Sequence, residues 1–318
     1  MSRKIFITGI TGFVGRHLVR ELISLGGSIF GTAFPEKPGE WDLSPSEGVF
    51  FQDIRDDKGL SALVARIRPD WVFHLAAVSN VKHSWEKRRE TLTTNLTGTL
   101  NLFEALREHS PRARALYVSS SDVYGVLSPV SEALSEEDAV KPVNPYAFTK
   151  IGGEILSQFY AQIEGLDLVI ARPFPHTGPG QSPDFVCSDW ACQIAQIERE
   201  HKKPAIKVGN IDAKRDFLDV RDVVKAYILL MERGEKGEVY NICSGNAVSL
   251  GDVLNRLLAF SSESIEVEVD PERVRKIDIP LLVGDNRKIK RATSWEPKIS
   301  MSQSLEDLIQ YWRDCFRY

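Results

Sequence analysis

Thr8-Gly9-Ile10-Thr11-Gly12-Phe13-Val14-Gly15 follows a short apolar run, residues 4–8, and opens a stretch of helical periodicity, residues 14–25. Glycines at such a junction permit a tight turn and a close backbone approach to a pyrophosphate seated on the helix N-terminus. No Gly-Lys-Ser/Thr follows, which argues against a mononucleotide P-loop. Outward from this point the first half alternates short apolar runs with helical patterns. Strands are expected at 4–8, 28–34, 49–52, 71–75, 115–119 and 167–172, with helices at 14–25, 58–66, 91–108 and 145–163. That rhythm predicts a parallel sheet covered on both faces, and right-handed crossovers make it a doubly wound, Rossmann-type α/β fold.

After Arg172 the pattern changes. Residues 173–184 are rich in Pro and Gly, followed by helices expected at 186–200, 250–258 and 302–313 and strands at 205–208, 239–243 and 265–269. The expectation is a dinucleotide-binding domain over 1–172, with a later contribution from about 213–240. A smaller substrate-binding lobe over 173–318 is interleaved with it. The run Trp85-Glu86-Lys87-Arg88-Arg89-Glu90 reads as a solvated helix face.

The 318 residues, 42% hydrophobic and 26% charged, suit a globular protein with a large core. A formal net charge of -4 argues against a nucleic-acid surface. No apolar run approaches the roughly 20 residues of a membrane helix, and the N-terminal run is too short for a signal peptide. Cys187, Cys192, Cys243 and Cys315 are scattered without a Cys-x-x-Cys, and the six histidines form no metal-binding cluster. A cytoplasmic, reduced, metal-free protein is expected.

Asn144-Pro145-Tyr146-Ala147-Phe148-Thr149-Lys150 carries the chemistry. Asn144 can cap a helix whose first turn accepts Pro145, and a spacing of four puts Tyr146 and Lys150 on one face. A fixed ammonium should lower the phenol's pKa from about 10, making it a usable acid or base. The second apolar run ends Ile29-Phe30-Gly31-Thr32-Ala33-Phe34, without the carboxylate that an NAD site places on the ribose hydroxyls. Glu36 and Lys37 come next, so NADPH is the expected cofactor, with NADH possible.

Together the glycine turn, Gln52-Asp53-Ile54-Arg55-Asp56, His74-Leu75-Ala76-Ala77, Asn95, Ser119-Ser120-Ser121-Asp122-Val123-Tyr124-Gly125 and the Tyr146/Lys150 pair resemble an extended short-chain dehydrogenase/reductase, a family acting chiefly on nucleotide sugars. The resemblance continues to Asp285, Lys288 and Trp295-Glu296-Pro297 and so covers nearly the whole chain. It implies a catalytic trio of Ser120, Tyr146 and Lys150, with Ser120 polarising a carbonyl and Tyr146 passing the proton. It also implies cofactor contacts from Gly9, Thr11, Gly12, Phe13, Val14, Gly15, Thr32, Leu75, Ala76, Ala77, Tyr146 and Lys150. Asp53 and Ile54 would meet the adenine. A homodimer through helices near 91–108 and 145–163 is the family expectation.

Within the family, residues 171–186 and the segment Arg275-Lys276-Ile277-Asp278-Ile279-Pro280 look most like the GDP-4-keto-6-deoxy-D-mannose reductases. These reduce a 4-keto group to give GDP-D-rhamnose, which implies a GDP-sugar substrate. Ser121, Asp122, His176, Gln181, Phe185, Val186, Arg215, Arg275 and Asp278 are the implied substrate contacts; guanidinium forks suit phosphate oxygens. Pro175 departs from the pattern, since the family usually has a substrate-touching Asn there. A 4,6-dehydratase, a 4-epimerase and a regulator without turnover remain as alternatives. Related dehydratases place Thr at the Ser120 position and Glu two residues on, where this chain has Ser120 and Asp122.

Overall fold

The computed structural model describes residues 3–33, 48–126, 133–200, 204–273 and 279–317. Glu36, Lys37, Arg275 and Asp278 lie outside them.

Seven parallel strands form the main sheet: β1 (Lys4–Thr8), β2 (Ser28–Ala33), β3 (Gly48–Phe51), β4 (Trp71–His74), β5 (Arg114–Val118), β6 (Asp167–Pro173) and β7 (Val239–Ile242). Their spatial order is 3-2-1-4-5-6-7, so the chain reverses direction between β1 and β4 and opens a cleft at their C-terminal ends. Near-continuous burial along β1 and β4 fits a sheet covered on both faces. Helices Phe13–Ser24, Val220–Arg233 and Arg287–Thr293 supply one face; Asp57–Ile67, Gly98–His109 and Pro145–Gln162 supply the other. Residues 287–295 therefore join the sheet layer as well, through buried Ile289 and Trp295.

A third core lies between helices Val186–Glu200, Leu250–Ala259 and Met301–Cys315, with Trp190, Leu257 and Leu308 inside it. Small sheets brace this lobe. Lys214–Asp216 pairs with Ala247–Ser249 and Leu281–Leu282, and Ala205–Val208 pairs with Glu266–Val269.

The helix expected over 91–108 is present and carries a π turn. An α-turn, Arg88–Leu92, passes into a π-helical turn, Thr93–Thr97, before Gly98–His109 resumes. The cause is Asn95, whose side chain accepts from Val78 N at 2.8 Å and donates to Val78 O at 3.0 Å. A wider turn carries that side chain to the strand-end loop, a local geometry often seen at functional positions.

Candidate active site

The glycine turn sits between β1 and helix Phe13–Ser24. Gly9 adopts φ +72, and a Cβ there would stand 2.9 Å from Ala76 N. A Cβ on Gly15 would stand 2.4 Å from Ile10 O. Gly12 caps the helix without a side-chain bond, so the first-turn N–H groups of Phe13 and Val14 find no acceptor within the helix. This donor set fits the diphosphate of a dinucleotide, which the helix dipole also favours. Thr11 O is engaged by Arg16 Nε at 3.1 Å.

Several expected cofactor contacts have inward duties. Thr32 is buried, its hydroxyl accepting from Gly9 N at 3.4 Å, so it shapes the turn rather than reaching out of it. Ile54 belongs to the core, packed toward Gly98, which leaves its backbone for the cleft. Asp53 is gripped by Arg55 at 2.6 Å and held below its ordinary pKa chiefly by that bond. Leu75 N donates to Thr8 O and Ala76 N to Thr8 Oγ1, both at 3.2 Å, which fixes the 75–77 loop containing Ala77 along the cleft.

Asn144 caps the Pro145–Gln162 helix by accepting from Ala147 N at 2.7 Å, as its sequence implies. Tyr146 and Lys150 are both buried on one face, the ammonium 5.7 Å from the phenol ring centre. Lys150 Nζ donates to Val118 O at 2.7 Å. Ser120 follows β5 by two residues and accepts from Asp122 N at 3.2 Å, opening the turn Ser121–Tyr124, in which Ser121 is buried.

The expected acidification of Tyr146 is overturned. Burial and then the Asp122 charge push the phenol well above its ordinary pKa, while a Ser120 hydrogen bond pulls only partly back. Lys150 itself is lowered from 10.5 to about 8, mainly by burial and against the pull of Glu154. Desolvation outweighs the neighbouring ammonium because both groups lie in the protein interior. The phenol therefore stays protonated at neutral pH, though burial makes it a weaker acid than in water.

A buried relay supports the pair. Thr99 Oγ1 donates to Asn95 O at 2.6 Å and so receives from His74 Nε2 at 2.9 Å, leaving His74 Nδ1 to accept from Thr8 Oγ1 at 2.7 Å. Burial, with the Lys150 charge second, drives this imidazole down to about 3 and keeps it neutral. Asn95 Nδ2 also donates to Thr149 Oγ1 at 2.9 Å, and Thr149 Oγ1 to Tyr146 O at 2.7 Å. The functions of His74 and Thr149 were not read from the sequence, because Thr8 and Thr99 for the one and Asn95 for the other lie far along the chain.

Of the residues expected on the substrate side, His176, Gln181, Phe185 and Val186 lie in the 174–186 segment. His176 stacks on Phe13, ring centres 6.2 Å apart, and its Nδ1 donates to Phe174 O at 3.0 Å. His17, absent from the sequence reading, donates Nε2 to Pro179 O at 2.9 Å and ties this loop to the nucleotide helix. Gln181 spends its amide inside the loop, accepting from Thr177 Oγ1 at 2.7 Å and donating to His176 O at 2.9 Å, so it braces the loop instead of projecting toward a ligand. Pro175 O accepts from Leu218 N at 2.9 Å. Phe185 is exposed, Val186 packs on the third core, and Arg215 Nη1 donates to Ile279 O at 2.5 Å.

A family model described as GDP-mannose 4,6 dehydratase matches residues 6–308. The chain is 35% identical over 317 residues to the GDP-6-deoxy-D-mannose reductase of Pseudomonas aeruginosa, covering 100% of this chain and 99% of that protein. It is similar to the solved structure of RMD from Pseudomonas aeruginosa complexed with NADPH, with TM-score 0.87, 33% identity and coverage of 99% and 100%. The UDP-glucose 4-epimerase of Thermus thermophilus in complex with NAD gives TM-score 0.88 at 26% identity, covering 98% and 99%. Because the match runs through both the sheet layer and the smaller lobe, the chain belongs to the GDP-mannose 4,6 dehydratase family, within the extended short-chain dehydrogenases/reductases.

Proposed function

We propose that the protein reduces the 4-keto group of a GDP-activated 6-deoxyhexose, GDP-4-keto-6-deoxy-D-mannose giving GDP-D-rhamnose, with NADPH as reductant. The observation that carries this reading is the buried grouping of Tyr146 with Ser120 and Lys150, since ketone reduction needs a proton donor at the developing alkoxide. Similarity to a GDP-6-deoxy-D-mannose reductase over the full chain supports the substrate class. When bound, NADPH supplies the hydride. Tyr146 gives its proton to the carbonyl oxygen, Ser120 donates a hydrogen bond to the same atom, and the Lys150 charge steadies the phenolate left behind. β2 ends at Ala33 without a carboxylate, which favours the 2′-phosphate of NADPH over NADH.

Asp122 is the residue that keeps a dehydratase in view, and an epimerase would use the same trio. Purified protein mixed with NADPH and GDP-4-keto-6-deoxy-D-mannose decides between them. We expect stoichiometric loss of reduced cofactor and GDP-D-rhamnose as product. Tightly held NAD with no net oxidation would favour epimerisation, and conversion of GDP-mannose itself would favour dehydration.

We further propose a cytoplasmic homodimer. Phe148, Ile155, Phe159 and Ile163 are 54, 61, 48 and 70% exposed and follow one stripe of the Tyr146 helix, with Leu100 of the preceding helix also exposed. A second copy covering that stripe would bury it. Sedimentation should give a dimer for the wild type and a monomer for Ile155→Glu; a monomeric wild type would end this proposal.

A further inference from the structure

One turn beyond Lys150 the same helix carries Glu154, 2% exposed and unused by the proton transfer. Its carboxylate accepts from Arg172 Nε at 2.8 Å and Nη2 at 2.7 Å, and from Ser119 Oγ at 2.5 Å. Arg172, on β6 and buried, also donates Nη1 to the Tyr124 hydroxyl at 3.1 Å, and that hydroxyl bonds Asn241 Oδ1 of β7 at 2.8 Å. Desolvating an ion pair is costly, and its presence is weak evidence for stability. A pair set directly behind a reaction centre calls for a local reason.

The strand end supplies one. β5 and the residues after it run Val118-Ser119-Ser120. Val118 O accepts from Lys150, and Ser119 Oγ donates to Glu154. Two successive residues are thereby pinned to two successive turns of the helix that bears Tyr146. The next residue, Ser120, inherits its register against the phenol from those two bonds. Ser119 N is itself fixed to Ala171 O at 2.7 Å, beside Arg172.

The titratable groups around Lys150 are His74 on β4, Tyr117 on β5, Asp122 in the following turn, Tyr146 and Glu154 on its own helix, and Arg172 on β6. Tyr227, on helix Val220–Arg233, lies within electrostatic reach of Tyr146. His74 is neutral, and burial holds the phenols of Tyr117 and Tyr227 unionised. Asp122 acts on Tyr146, whereas Glu154 opposes the loss of the Lys150 proton.

We propose that Glu154 is a positioning residue for the reduction: braced by Arg172, it locks the Ser120 strand end to the Tyr146 helix and sets a carboxylate one helical turn from Lys150. This rests on the reductase reading above, and its test is separable from it. Protein labelled with carbon-13 at the lysine ε position, without cofactor, reports the Lys150 titration; Lys150→Arg assigns the resonance. Glu154→Gln should lower the Lys150 midpoint by about a few tenths of a pH unit or more, because a carboxylate one helical turn away favours the ammonium. The alkaline limb of kcat should move with it, and kcat at neutral pH should fall about tenfold or more with sugar KM nearly unchanged. An unmoved midpoint overturns the proposal. Should Glu154→Gln fail to fold, Ser119→Ala tests the strand lock alone. Ser119→Ala should lower kcat while leaving the Lys150 midpoint in place; full kcat in that variant removes the strand lock. Since the resonance needs no substrate, an inactive wild type would defeat the reductase reading and leave this test standing.

Discussion

Around Tyr146 the positioning side chains are buried and cross-tied between elements, whereas the 174–186 segment is tied to its neighbours chiefly through its backbone carbonyls and borders open surface. Asn95, Thr149, Lys150 and His74 are each under a tenth exposed and join four elements. In the 174–186 loop, Gln181 bonds to Thr177 and His176 of the same loop, and Phe185 faces solvent. Proton transfer tolerates little misplacement, so its residues are built into the sheet edge. On the proposed reading, sugar recognition falls to a lobe that can vary without disturbing them.

That contrast predicts effects of graded size. Lys150→Met should cost about a thousandfold in kcat, within the range of general acid–base contributions, while leaving the fold intact by circular dichroism; retention of kcat would place the proton chemistry elsewhere. A pH series sharpens the point. Activity should fall as pH rises through about 8, where Lys150 loses its proton. Stability should move the other way: the folded value lies below the ordinary 10.5, so the unfolded chain binds more protons between those limits, and this group's contribution to unfolding free energy rises with pH across that window. Thermal melts from neutral to alkaline pH, compared with Lys150→Met, measure that contribution.

Next in size is Gly15→Ala, whose Cβ would meet Ile10 O at 2.4 Å. NADPH affinity should drop by more than about tenfold and the melting temperature by several degrees, since backbone atoms cannot yield cheaply; calorimetric titration checks it. On the lobe, Arg215→Ala should raise sugar KM about tenfold with kcat nearly unchanged, the signature of uniform binding lost. Asp122→Asn is expected to be smallest, changing kcat by less than about threefold. A larger loss would give Asp122 an acid role and bring dehydration back.

The glycine turn, the alternating strands and the Asn144-capped helix were legible because each is set by residues close together in sequence: a turn that excludes Cβ atoms, a period, a cap. Right-handed crossovers supplied the sheet. What sequence could not give is where desolvation wins. A spacing of four put an ammonium beside Tyr146 but carried no information on burial, so the phenol's acidity came out with the wrong sign. The π turn at Asn95 was hidden for the same reason, since its cause is a bond to Val78 from across the cleft. Helix Arg287–Thr293 escaped because seven residues with several basic side chains give a weak periodic signal. Glu154 was visible in principle, extending the Tyr146, Lys150 series by another four, yet its meaning depends on Arg172 and Ser119, which only folding brings near.

The most direct test of the account is single-turnover oxidation of NADPH by Tyr146→Phe on the GDP-4-keto-sugar, with cofactor and GDP affinities measured on the same sample. A rate about a thousandfold below wild type at unchanged affinities is the predicted result, on the scale of a lost general acid. Wild-type speed in that variant would mean that the proton comes from another group, and the buried phenol would lose its place at the centre of the reaction.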